Sequence, residues 1–225
     1  MIIDKGYNRF TDRSLFMGYT IHEDIMCDEN LDIILDKPLI VYGLLCVKGN
    51  LTSNVPIHTV GIRVDGNMCG RSIFSNIQYC EDVKLHKFAN IEIGGNISAE
   101  SIDCEKLTVK GNICVKKDLF ARSVKAKNVS VGGTIETFHA VETDGDISVG
   151  YLNVHVINAG GSITAQTNIH CYTEISAGSY IDCGGEIVTG AFCDTNEPYI
   201  DPTIYNIKCS ELRNGKIVRG NLVLI

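Results

Sequence analysis

A five-residue pattern recurs nine times along the chain: a small or β-branched residue, any residue, Gly, a small polar or acidic residue, then Ile, Leu or Met. It reads Val47-Lys48-Gly49-Asn50-Leu51, Val64-Asp65-Gly66-Asn67-Met68, Ile93-Gly94-Gly95-Asn96-Ile97 and Val109-Lys110-Gly111-Asn112-Ile113. It returns as Val131-Gly132-Gly133-Thr134-Ile135, Thr143-Asp144-Gly145-Asp146-Ile147, Ala159-Gly160-Gly161-Ser162-Ile163, Cys183-Gly184-Gly185-Glu186-Ile187 and Val218-Arg219-Gly220-Asn221-Leu222. A chain that repeats one bend with one in/out phase is built to stack copies of a single unit on themselves.

Between the bends the residues alternate with period two, as in Ser101-Ile102-Asp103-Cys104-Glu105-Lys106-Leu107-Thr108-Val109, which is the periodicity of strands. Each alternating stretch is short and ends in Gly, Asn, Asp or Ser, so the chain reads as many brief strands joined by tight bends. The motif glycine is expected to supply positive φ, with the neighbouring Asn or Asp supporting the bend. A hairpin sandwich has no need to repeat the same bend, whereas a coil does. The expected fold is therefore all-β: a single-stranded parallel β-helix, or β-solenoid, right-handed, with irregular N-terminal and C-terminal caps. Small residues such as Ala99, Ala126, Ala159 and Cys183 suit a narrow interior. The motif glycines are spaced 17, 29, 16, 22, 12, 16, 24 and 35 residues apart, so some turns must carry loops. About eight to ten turns are expected, a rod on the order of 40 to 50 Å long.

Three segments follow from this reading: residues 1–36, which lack the motif, as an N-terminal cap; 37–193 as the β-helix; and 194–225 as a loop plus C-terminal turns or cap. Pro198 and Pro202 cannot sit in a central ladder, so the stretch around them breaks the coil. Leu222, Val223, Leu224 and Ile225 form an apolar strand that is either covered by that loop or is an edge through which copies meet.

Composition narrows the partners. A net charge of −7 without a Lys/Arg run argues against generic nucleic-acid binding. The longest apolar run, Pro38 to Val47, is too short to span a bilayer, and no basic, apolar leader opens the sequence. The expected location is the cytoplasm. There the ten cysteines, none in a C-x-x-C pair, read mostly as reduced, small, buried hydrophobes.

Candidate chemistry is sparse. Asp144 with Asp146, and Asp182 with Glu186, are carboxylate pairs of the kind that cleave glycosidic bonds, yet they lie at the bends, where a short acid has a structural task. The histidines, His22, His58, His86, His139, His155 and His170, show no metal-ligand spacing and read as isolated surface or loop residues. The Gly-Gly pairs lack the continuation of a phosphate loop. No catalytic, cofactor-binding or metal-binding residue is singled out. Tyr42, Tyr79, Tyr151, Tyr172, Tyr180, Tyr199 and Tyr205 suit either a sugar platform or a protein interface.

The repeats of residues 91–150, with Ile-Gly-Gly-Asn-Ile, Val-Lys-Gly-Asn-Ile, Val-Gly-Gly-Thr-Ile and Thr-Asp-Gly-Asp-Ile between short strands, resemble those of bactofilins. These are polymer-forming bacterial cytoskeletal proteins with a right-handed β-helix core. The resemblance implies self-assembly without nucleotide or metal. The first functional expectation is thus a non-enzymatic structural or protein-interaction solenoid whose partner is a protein or itself, with self-assembly as one version. Its alternatives are a carbohydrate-active β-helix enzyme and an acidic inhibitor or adaptor that mimics a charged ligand.

Overall fold

The computed structural model describes residues 1–14, 18–75, 90–190 and 206–225. Among these residues every regular element is a strand, and the chain divides into two compact units, Met1–Lys116 and Lys117–Ile225. Each unit is a β-solenoid of stacked parallel strands.

In the first unit the strands are β1 (Ile2–Asp4), β2 (Asp12–Ser14), β3 (Gly18–Ile21), β4 (Ile25–Cys27), β5 (Leu31–Ile34), β6 (Leu39–Val47) and β7 (Leu51–Ser53). They continue as β8 (Ile57–Val64), β9 (Met68–Cys69), β10 (Ser72–Ser75), β11 (Asn90–Ile93), β12 (Ile97–Ala99), β13 (Ser101–Val109) and β14 (Asn112–Val115). Each turn lays a strand on each of three walls, so that residues one turn apart come into register. The inward columns are Leu39–Ile57–Ile73–Ile102, Ile25–Leu45–Ile62–Ile91–Leu107 and Leu31–Leu51–Met68–Ile97–Ile113. None of these side chains is more than 3% exposed. Burying each contributes about 1.5–3 kcal/mol, and a one-residue slip would turn a whole wall inside out, so apolar alternation fixes the register.

The second unit holds β15 (Leu119–Ala126), β16 (Asn128–Thr143), β17 (Ile147–Ala159), β18 (Ile163–Ala165) and β19 (Ile169–Cys171). Its remaining strands are β20 (Ile175–Ala177), β21 (Tyr180–Thr189), β22 (Asn206–Cys209), β23 (Glu211–Arg219) and β24 (Asn221–Leu224). Its inward columns are Leu119–Ile135–Leu152–Ile169–Ile187, Val129–Ile147–Ile163–Ile181–Leu212 and Val124–Val141–Ile157–Ile175–Ile207–Leu222. The small residues Ala126, Ala159 and Cys183 are buried, as is Ala99 in the first unit.

Residues 1–36, read from the sequence as a cap, hold strands that already belong to the coil: β1 pairs in parallel with β5, β3 and β4 with β6, and β5 with β7. Their irregular part is the antiparallel pair of β2 and β3. The proline-bearing stretch 194–202 lies outside the described residues.

Candidate functional site

The motif glycines do not do what the sequence suggested. Of the nine, only Gly220 has positive φ, at 128°. Elsewhere the absence of a side chain permits close approach to the preceding turn. A Cβ on Gly95 would lie within 3.0 Å of Asn67 Oδ1 and Gly66 O, and one on Gly66 would crowd Asn50 Oδ1 and Gly49 O in the same way. That proximity lets the residue after each glycine join a ladder. The backbone N–H of Asn50 donates to Asn30 Oδ1, Asn67 to Asn50, Asn96 to Asn67 and Asn112 to Asn96, each at 2.8 Å. In the second unit the N–H of Asp146 donates to Asn128 Oδ1 at 2.8 Å and that of Ser162 to Asp146 Oδ1 at 2.7 Å. At a different corner Thr134 donates to Asp118 Oδ1 and Glu186 to Asn168 Oδ1, both at 2.8 Å. Each of these N–H groups is thereby satisfied by the side chain of the previous turn.

This arrangement claims the carboxylates that sequence reasoning set aside as possible acid–base pairs. Asp146 is a rung of the ladder. Asp182 Oδ1 accepts from Asn214 Nδ2 at 2.9 Å, and Glu186 faces Lys216 Nζ at 3.9 Å. Asp146, Asp182 and Glu186 are thus engaged in contacts within the coil.

Four of the five described histidines differ from the expectation of isolated residues, while His139 is exposed. His22 stacks on Tyr42 and His58 on Phe74, each at 4.6 Å between ring centroids, and His155 stacks on Tyr172 at 5.6 Å. His170 Nδ1 lies 2.8 Å from the Tyr151 hydroxyl. Rings that are far apart in sequence fall one turn apart on the outer wall, which a linear search for ligand spacing does not reveal. Burial holds the His58 imidazole below its ordinary pKa. Tyr180 carries the Arg213 guanidinium over its ring at 3.4 Å. His86, Tyr79, Tyr199, Tyr205, Cys80 and Cys193 lie outside the described residues.

Five of the eight described cysteines, Cys27, Cys104, Cys171, Cys183 and Cys209, are buried, and all eight are free. Some also donate to the bends: Cys171 Sγ to His155 O and Glu174 O at 3.2 Å, and Cys183 Sγ to Thr167 O at 3.0 Å. Burial pushes the Cys171 thiol up to about 12, and it raises Cys104 further. Cys171 and Cys183 are thus interior donors, and a thiol raised by burial is the reverse of an activated nucleophile. Cys69 and Cys114 are exposed.

A hollow of about 220 Å³ opens on the outer wall of the first unit where Gly61 leaves a gap, lined by Leu44, Cys46, Arg63, Asn90 and Glu92. Burial raises the Cys46 thiol, and Asp24 raises it further. Among the described residues no group of three or more His, Cys, Asp or Glu side chains is placed to hold a metal ion. No helix among them is long and apolar enough to cross a membrane.

No family model, curated protein or solved structure matches this chain. The reading of function therefore rests on its own geometry.

The expected assembly edge is where that geometry is unfinished. Leu222 sits in register on Ile207 and Leu224 on Cys209, both of which are fully buried, yet Leu222 is 37% exposed and Leu224 66%. Ile225 is 64% exposed, and Val223, in register with Lys208, is half-buried. Among the described residues β24 pairs with β22 alone.

Proposed function

We propose that this protein is a non-enzymatic structural or protein-interaction solenoid that associates with copies of itself through its last coil. The observation that carries this reading is the pair Leu222 and Leu224, core residues by register that remain at the surface. A strand edge that is unpaired among the described residues, beside exposed apolar side chains, favours strand addition by another chain. The side chains of Asn67, Asn96, Asp118 and Asp146 support the same reading, because each accepts a backbone N–H of the next turn. The resemblance to bactofilins implies the same kind of behaviour.

The test is light scattering coupled to size-exclusion chromatography over a wide concentration range, with negative-stain microscopy of the largest species. Mass that grows with concentration and reverts to monomer in Leu224→Lys is the expected result. A single monomer peak at every concentration overturns self-association.

A further inference from the structure

The outer walls of the second unit differ in what they carry. One presents the outward column Ser130–Ser148–Thr164–Asp182 and another the column Lys125–Glu142–Asn158–Ser176–Lys208, and neither column holds a ring. The third presents Phe120–Glu136–Asn153–His170, in register over successive turns. Beside it stands a column of rings. A break of register between Thr137 and Ala140 sets Phe138 and His139 against His155 on β17, and His155 stacks in turn on Tyr172. Such bulges re-aim side chains, and Phe138 is 74% exposed, the most exposed large apolar side chain among the described residues.

On the other side of the central column, the Tyr151 hydroxyl lies 2.8 Å from His170 Nδ1. Burial, and after it the Glu136 carboxylate, raises the Tyr151 hydroxyl above its ordinary pKa, so carboxylate and phenol are neighbours. The wall thus carries two parallel strips. Glu136, Asn153, His170 and the Tyr151 hydroxyl make a strip of hydrogen-bonding groups, while Phe138, His155 and Tyr172 make a strip of rings. Asn153 Oδ1 has no donor among the described residues, so the polar strip holds hydrogen-bonding capacity that the coil does not use.

Rings beside a few placed polar groups suit a ligand with an apolar face and a polar rim. A pyranose has both, C–H groups on its face and hydroxyls around its edge. Each turn advances about 4.8 Å along the axis, close to the length of one such unit, so an extended sugar chain laid along the strips keeps step with the coil. The area, about 15 Å on a side, is roughly a quarter of what each partner gives to a stable protein interface. Glu136 at its centre disfavours an anionic chain. We infer that this wall binds a neutral oligosaccharide laid parallel to the solenoid axis, with Phe138, His155 and Tyr172 against the sugar faces and Glu136 and Asn153 hydrogen-bonding the hydroxyls. The inference does not rest on self-association, which uses the last coil.

Isothermal titration of the full chain with cellotetraose, chitotetraose, xylotetraose, mannotetraose and maltotetraose tests it. Saturable binding of at least one of them is expected, weakened about tenfold by Phe138→Ala and by Glu136→Gln and unchanged by Ser148→Ala on another wall. Phe138 is exposed and Glu136→Gln keeps the side-chain shape, so both variants should retain the wild-type circular-dichroism spectrum and report the site, not the fold. Tetragalacturonate, an anionic chain of the same length, is expected to bind at least about tenfold more weakly than the best neutral one. No heat from any neutral tetrasaccharide overturns the inference, as does binding that Phe138→Ala and Glu136→Gln leave untouched. Loss of self-association in Phe138→Ala, with no sugar bound by the wild type, would make the wall a contact between copies and overturn it as well.

Discussion

The first coil of the N-terminal unit and the last coil of the C-terminal unit are made of the same kinds of strand but end differently. In the first, Ile3, Ile21 and Ile25 are fully buried. The chain there folds back as the antiparallel pair of β2 and β3, and Tyr7, Phe10 and Tyr19 pack ring on ring at 5.5 and 4.7 Å. Ion pairs of Lys5 with Asp36 and Arg9 with Glu23 lie over the same region. In the last coil Leu222 and Leu224 occupy equivalent inward positions and are exposed. The core of the first coil is closed locally, by side chains that leave the repeat, whereas register on buried residues does not by itself bury Leu222 and Leu224.

If this contrast is right, the same deletion should cost very different amounts along one column. Ile157→Ala, in the buried part of the column that ends at Leu222, is expected to destabilise by about 2–5 kcal/mol, and Leu222→Ala by less than about 1.5 kcal/mol at concentrations where the chain is monomeric. Chemical denaturation of both variants checks this. Equal losses would mean that the last coil is as well covered as the middle.

A second contrast separates glycines that touch the previous turn from those that do not. Gly95→Ala would drive its Cβ into Asn67 and Gly66 and is expected to cost about 1–3 kcal/mol. Gly70→Ala, whose nearest neighbours would be 3.9 Å away, is expected to change stability by less than about 0.5 kcal/mol. Melting temperatures of the pair would show the difference directly.

Within the second unit, Thr137 is 2% exposed, and its hydroxyl has no hydrogen-bond partner among the described residues. Thr137→Val keeps the shape and removes that orphan, so a gain of about 1 kcal/mol is expected in the same assay.

The smallest expected effect concerns the ion pairs of the first coil. A hydrogen bond from Lys5 holds the Asp36 carboxyl below its usual pKa, and one from Arg9 does the same for Glu23. A depressed carboxylate stabilises above its unfolded pKa, and that contribution is lost as pH falls through its folded pKa, which here lies below the ordinary carboxylate range. All four groups are at the surface, so removing Lys5 and Arg9 should flatten the acid limb of the stability profile only slightly.

The repeat, the parallel coil and the inward alternation were legible because they depend on period two and on one recurring bend. What the bend is for was not legible. Asn beside Gly reads as a turn former, and only stacking shows that Asn67 reaches the backbone of Asn96, 29 residues on. The uneven spacing of the glycines has the same origin. Gly133 and Gly145 are 12 residues apart because they occupy different corners of one coil: Gly133 meets Asp118, and Gly145 meets Asn128. Lys127 fills the corner position below Gly145 without being glycine, and so escapes a search for the motif. The ring pairs of His22, His58, His155 and His170 were hidden for a related reason, since contact across a turn leaves no fixed interval in the sequence. The last strand, with Leu222 and Leu224, was visible as an apolar run, but only the register with Ile207 and Cys209 makes its exposure meaningful.

Hydrogen exchange followed by NMR at low protein concentration tests most directly whether the corner ladder holds these coils together. The amides of Asn67, Asn96, Asn112 and Ser162 belong to bends at the surface, yet they donate to the previous turn at 2.7–2.8 Å and should exchange slowly, like those of the strands. The amides of Leu222 and Leu224 should exchange fast in the same experiment. Ladder amides that exchange as quickly as Leu222 would contradict the account.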